Sequence, residues 1–137
     1  MPAPCPFCAI VGGDEDADVG YEDDVVLAFL DRRPLFPGHV LVVPRRHVVT
    51  LPDLDQVDIA PLFAAVQRIS AAVPAALGAQ GTFVAVNNVV SQSVPHLHVH
   101  VVPRTKGDGL RGFFWPRTKY APGEAASVAD LLRRALT

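Results

Sequence analysis

Five histidines and two cysteines, at Cys5, Cys8, His39, His47, His96, His98 and His100, hold nearly all the soft-ligand and neutral-pH proton chemistry of this chain. Three of them alternate strictly in Pro95-His96-Leu97-His98-Val99-His100-Val101-Val102-Pro103. Strand side chains point to opposite faces in turn, so His96, His98 and His100 form one row spaced by roughly 7 Å, with Leu97, Val99 and Val101 on the other side. Nothing in folding requires three imidazoles on one face. Such a row has two chemical uses, metal ligation and nucleophilic or acid–base catalysis.

For a metal, Cys5 and Cys8 have the two-residue gap of a zinc knuckle, but two further ligands must come from far along the chain, and five histidines are available. A disulfide between them is disfavoured in a reducing compartment. For catalysis, a neutral imidazole nitrogen attacks phosphorus well when the other ring nitrogen is held by an acceptor that fixes the tautomer. Neighbouring imidazoles then protonate a leaving group or screen phosphate charge. Gln92 and Ser93, just before the row, are uncharged donors suited to nonbridging phosphoryl oxygens.

These residues need elements to carry them. With 137 residues, half of them apolar and 19% charged, the chain is expected to form one domain, 1–137, with a sizeable core. Residues 1–20 are small, acidic and Gly-containing after Cys5-Pro-Phe-Cys8 and read as a loop. A turn at residues 21–24 leads into a strand over 25–30, and residues 39–43 form another, ended by Pro44. Ile59, Leu62, Phe63, Val66, Ile69 and Val73 recur at helical spacing across residues 56–77, where Pro61 and Pro74 are expected to delay, kink or shorten the helix. Residues 82–86 and 97–102 read as strands, and 125–136 as a short terminal helix behind a C-terminal loop that starts near residue 104. The expected fold class is α+β: a mainly antiparallel five-stranded sheet, one long helix and a short C-terminal helix. No P-loop and no Gly-x-Gly-x-x-Gly occurs.

The formal charge of −2 is unevenly spread: residues 1–31 hold eight acids and no Lys or Arg, leaving an excess of six positive charges over residues 32–137. A near-neutral total argues against nucleic-acid coating, whereas the cluster Arg104, Lys106, Arg111, Arg117 and Lys119 suits a small phosphorylated ligand or is a solvated loop. No apolar run reaches the roughly 18 residues of a membrane span and the start lacks a leader pattern, so a cytoplasmic protein without membrane contact is expected.

His96-Leu97-His98-Val99-His100-Val101-Val102 resembles the His-φ-His-φ-His-φ-φ signature of the histidine triad superfamily of nucleotide hydrolases and transferases. Cys5-Pro-Phe-Cys8, Ala28-Phe29-Leu30-Asp31, the run from Pro37-Gly38-His39 to Arg46-His47, and Gln92-Ser93-Val94-Pro95 extend the similarity. The resemblance implies a sheet with a long helix on one face, an AMP-like purine nucleotide as ligand, and a two-fold homodimer. It implies hydrolysis of adenosine phosphoramidates or dinucleoside polyphosphates through a nucleotidyl-histidine, with His98 as nucleophile and His100 at the phosphate and leaving group. His39 would lie beside them. Asn87, Gln92 and Ser93 would hold phosphoryl oxygens, and Asp31 the ribose hydroxyls. By the same resemblance Cys5, Cys8, His47 and His96 are the ligands of a structural zinc, closing the N-terminal loop onto the catalytic strand.

Other readings stay open. A phosphorylase on the same fold would use inorganic phosphate in place of water, and a non-enzymatic, zinc-stabilised nucleotide-binding module would not need His98. Many relatives have a Gly-rich stretch where this chain has Asn87-Asn88-Val89-Val90-Ser91, which leaves open which asparagine reaches the ligand. Phe7, Ile10 and Phe29 are candidates for a purine slot, with core packing favoured for Phe29. Arg32, Arg33, Arg45 and Arg46 are expected to be mostly solvated. Residues 111–117 resemble a tail that in some members approaches the partner's site, with Trp115 either in that role or in ordinary packing.

Overall fold

The computed structural model describes residues 4–110 and 116–137. In chain order they form α1 (Pro6–Val11), β1 (Val19–Glu22), β2 (Val26–Leu30), β3 (Val40–Pro44), a 3-10 turn (Leu51–Asp53), α2 (Gln56–Leu77), β4 (Gly81–Val86), β5 (Val99–Arg104) and α3 (Glu124–Leu136). The strands make one sheet in the order β1-β2-β3-β5-β4, antiparallel at every pairing. This is the expected α+β class. β5 is the fourth strand of five, and His100 sits on it opposite Leu41 of β3 and Ala85 of β4.

The period-two pattern decides the two faces. Val26, Ala28, Val40, Val42, Val99 and Val101 turn toward α2, where Leu62, Ala65, Val66, Ile69 and Val73 meet them. Leu27, Phe29, Leu41 and Val43 turn the other way and close around Phe7 of α1. Leu97, Val99 and Val101 have no exposed surface, and each contributes about 1.5–3 kcal/mol of burial. That anchoring holds the histidine row on the α1 side of the sheet.

Two local devices aim the chain at this row. Asp23 Oδ1 accepts the N–H groups of Val25 and Val26, both at 2.8 Å, which closes the turn between β1 and β2. Tyr21, expected in that turn, instead belongs to β1. Gly38, immediately before His39, has φ +95°, and a Cβ there would come within 2.2 Å of the Leu77 side chain. The positive φ is what favours glycine here, since the exposed Leu77 methyl can swing aside.

Several elements differ from the expectation. α1 occupies part of the 1–20 segment read as a loop; Cys5 caps it and Pro6 opens it, and six residues are too few to register as periodic. α2 runs unbroken through Pro61 and Pro74, each omitting one helical bond while the buried stripe holds the rest against the sheet. With a mean hydropathy of 1.4, α2 is also long and apolar enough to cross a membrane by length and composition, contrary to expectation. Its buried stripe is that of a core helix. Val89 (φ 69°) and Ser91 (φ 63°) lie in the left-handed region, where an L residue costs about 1–2 kcal/mol.

Candidate functional site

Segment 95–98 is fixed before the ladder of β5 begins. Leu97 N–H donates to Val48 O at 2.7 Å. His96 and His98 are 0% and 3% exposed, and His39, immediately before β3, is 3% exposed. The His98 and His100 rings lean together, with centroids 5.0 Å apart.

Hydrogen-bond partners fix the tautomers. His98 Nδ1 is 2.8 Å from His96 O, and a carbonyl only accepts, so Nδ1 carries the proton and Nε2 keeps its lone pair. His39 Nδ1 accepts the Leu35 N–H at 3.1 Å, so its proton is on Nε2, 2.9 Å from His100 Nδ1. His100 is thereby left with its own proton on Nε2. Asp31 Oδ2 lies 3.7 Å from His39 Nε2. These three residues could be taken for a metal triad, but the proton demanded on His39 Nε2 makes them a hydrogen-bonded relay. Burial, reinforced by His98 and His39 and opposed by Asp31, pushes His100 down from 6.5 to about 4. Burial likewise lowers His39, against the pull of Asp31. Both imidazoles are neutral at pH 7.

This shift has a sign in stability. Below pH 6.5 the unfolded chain takes up a proton at His100 that the native state refuses until about pH 4. Native stability therefore falls as pH drops from 6.5 to 4, and His100 adds nothing above that window. Urea denaturation across this range is expected to show a steeper decline for the parent than for His100→Asn.

A second cluster adjoins the first. Cys5 Sγ and Cys8 Sγ lie 3.4 and 3.5 Å from His96 Nδ1, and His47 Nδ1 lies 3.2 Å from both Cys8 Sγ and His96 Nδ1. An ion bonded at about 2.3 Å to sulfur and about 2.0 Å to nitrogen in a tetrahedron sets its ligands about 3.3–3.8 Å apart, close to these separations. His96 Nε2 donates to Pro44 O at 2.9 Å, leaving Nδ1 as a bare lone pair facing the sulfurs. Burial lowers His96, which keeps it in the neutral form a metal needs. Burial and the Cys5 thiol push Cys8 up to about 11, so an ion must displace its proton. Two sulfurs and two imidazoles with no open position suit a structural divalent ion such as zinc. His47 is the exposed member.

Between α1 and the sheet lies a cleft of about 810 Å³. Phe7, Ile10, Ala17, Phe29, Leu41 and Val94 give it apolar walls, and Asp31, Ser93, His98 and His100 its polar end. Phe29 therefore both packs in the core, as expected, and lines the cleft. Asn87 and Gln92 are not among the lining residues. Gln92 spends Nε2 on Val49 O at 2.6 Å and Oε1 on Val89 N–H at 3.1 Å, while Asn88 Oδ1 accepts Leu51 N–H. Both side chains hold the loop that joins β4 to the histidine row. Asp31 Oδ1 accepts Arg33 N–H at 2.9 Å. Arg104 is engaged by Asp108 and Leu110 O, so it is spent within its own loop. Arg111 and Trp115 lie outside the described residues.

One contributor is not visible in the sequence reading. Arg32, 65% exposed as expected, still donates to Asp16 O at 2.5 Å and to Glu15 at 3.4 Å, and Leu30 N–H donates to Asp18 O. These bonds fix residues 15–18 as the outer wall of the cleft. The acidic run facing Arg32-Arg33 was the available signal.

Comparison with known proteins gives a HIT domain match over residues 13–107. The chain is similar to an uncharacterized HIT-like protein of Mycobacterium tuberculosis, 44% identical over 109 residues, 78% of this chain and 76% of that one. It is 36% identical to an adenylylsulfatase of Arabidopsis thaliana, over 77% of this chain and 55% of the relative. It is 35% identical to the asymmetrical bis(5'-nucleosyl)-tetraphosphatase of Schizosaccharomyces pombe, over 67% and 52%. Among solved structures, a HIT family protein of Bacillus subtilis aligns with TM-score 0.89 at 33% identity, covering 98% of this chain and 99% of that one. A zinc-bound histidine triad family protein of Mycobacterium smegmatis aligns with TM-score 0.74 at 39% identity, over 96% of each.

Proposed function

The chain belongs to the HIT domain family, and from that premise we propose that it hydrolyses AMP-linked nucleotides through a covalent nucleotidyl-histidine on His98. The observation that carries this reading is the His98 tautomer: Nδ1 is tied to His96 O at 2.8 Å, and the unprotonated Nε2 belongs to a residue that lines the cleft. Held in that form, the imidazole is a nucleophile that needs no separate base. Attack of Nε2 on the α-phosphorus forms the N–P bond and expels the leaving group with the electron pair of its bond. The departing group takes up a proton from solvent; water then attacks the same phosphorus, breaks the N–P bond, returns a proton to solvent, and releases AMP and neutral His98. His100 offers its Nε2–H to a phosphoryl oxygen, held in that tautomer by His39, and Ser93 adds a hydroxyl. Asp31 takes the ribose hydroxyls, and the apolar walls take a purine. The family includes nucleotide hydrolases such as the adenylylsulfatase and the tetraphosphatase, which supports a phosphoric or mixed anhydride as the bond cleaved.

Zinc is the ion assigned to Cys5, Cys8, His47 and His96; the donor set and the zinc-bound relative support it. Bound there, it would tie α1 to the approach to β5 and take no part in the chemistry. A homodimer belongs to the same proposal. Among the described residues β4 is the last strand on its side of the sheet, and α3 carries Val128, Leu131, Leu132 and Leu136 exposed. The test is rapid quenching of the protein with an adenosine phosphoramidate or a diadenosine polyphosphate, and mass spectrometry for AMP attached to the His98 peptide.

A further inference from the structure

The two clusters share one six-residue helix. α1 is capped by Cys5 and includes Cys8, with Phe7 between them. Phe7 is 8% exposed, and its ring stands edge-on to His96 and His98 with centroids 5.9 and 5.1 Å away. It meets the Phe29 ring at 5.3 Å. Pro6, Phe7 and Ile10 all line the cleft. The helix thus faces the metal tetrad with its cysteines and the ligand with its apolar side chains.

Six residues make too few hydrogen bonds to hold a helix in water. The position of α1 is set by what it touches: Cys5 Sγ accepts the Cys8 N–H at 3.3 Å, and Phe7 packs into the sheet's second core. An ion on Cys5 and Cys8 fixes both flanks of Phe7, and a ligand in the cleft presses on that same ring. The entropy of ordering the helix is then lost once, to whichever ligand binds first, and the second binds more tightly.

We propose that Phe7 is a positioning residue that couples the Cys5/Cys8/His47/His96 metal tetrad to the nucleotide cleft, so that metal and nucleotide each tighten the other's binding. This rests on the reading of the cleft as a nucleotide site. Linkage requires reciprocity: the factor by which AMP raises zinc affinity equals the factor by which zinc raises AMP affinity.

The test measures zinc affinity of the full chain by competition with a chromophoric chelator, with and without saturating AMP. In parallel, calorimetry gives the AMP affinity of the zinc-loaded and metal-free protein. Tightening of about five- to tenfold is expected in both directions, falling below about twofold in Phe7→Ala. Phe7→Leu keeps an apolar side chain on α1 and guards against a folding failure; its coupling is expected to fall between the two. Amide hydrogen exchange of residues 6–11 is expected to slow on adding either ligand to the parent. Zinc affinity that AMP does not change, or coupling undiminished in both Phe7 variants, overturns the proposal while leaving the nucleotide site standing. Failure of AMP to bind the zinc-loaded protein overturns both.

Discussion

His98→Ala is expected to bind AMP within a few fold of the parent while losing turnover by a factor on the order of 10⁴ or more in kcat. The separation follows from what the side chain touches. The apolar walls, Asp31 and Ser93 are untouched by the substitution, so the surfaces that meet the purine, the ribose and part of the phosphate remain. What disappears is the only imidazole lining the cleft whose lone pair the backbone keeps free: His100 Nδ1 already accepts from His39 and its other nitrogen is protonated. His100→Asn removes a donor to the phosphoryl oxygen and leaves the nucleophile, so its expected loss is smaller, about 10²–10³ in kcat. Thermal melts of both variants alongside AMP titration separate lost chemistry from lost fold. Turnover by His98→Ala near the parental rate contradicts the assigned nucleophile, and intact binding without turnover in the parent itself supports the binding-module reading instead.

The second large effect concerns the metal. The protein is expected to hold about one zinc per chain by elemental analysis, and chelation or Cys8→Ser is expected to lower its stability sharply. At free zinc a thousandfold above the dissociation constant, the bound ion contributes about 4 kcal/mol. For a chain near this size that corresponds to a fall of roughly 14 °C in Tm. The loss is expected to begin at one end of the molecule. Cys5 and Cys8 lie on α1, whereas the α2 core is built from Leu62, Val66, Leu97, Val99 and Val101 and contains no metal ligand. Limited proteolysis of the chelated protein should therefore cut within residues 4–18 before it cuts the sheet. A metal-free protein with an unchanged melting temperature contradicts the tetrad.

The sheet and the long helix were legible because periodicity records burial directly. Leu97, Val99 and Val101 alternate with the histidines since one face must meet α2, and the apolar spacing from Ile59 to Val73 tracks the helix stripe. The gathering of seven ligand-type side chains into two adjoining groups was legible from resemblance, because no local spacing links Cys8 to His47. Three features were hidden. Gln92 has the right chemistry for a phosphoryl oxygen, yet one amide hydrogen goes to Val49 O and its oxygen takes Val89 N–H; a sequence does not say which backbone groups a loop leaves in reach. α1 is shorter than two helical turns and its cap is a cysteine, a residue not read as a capping signal. Arg32 is solvated as expected, but its bond to Asp16 O was hidden because a backbone carbonyl has no side-chain signature; only its pairing with Glu15 has one, in the acidic run.

The central claim is that His98 Nε2 forms a covalent bond to the α-phosphorus of an AMP-linked substrate, and quenching within a single turnover tests it most directly. Peptide mapping by mass spectrometry of the zinc-loaded protein is expected to find AMP on the peptide containing His98, acid-labile and absent from His98→Ala. Turnover that proceeds with no adduct at any quench time, or an adduct on another residue, contradicts it.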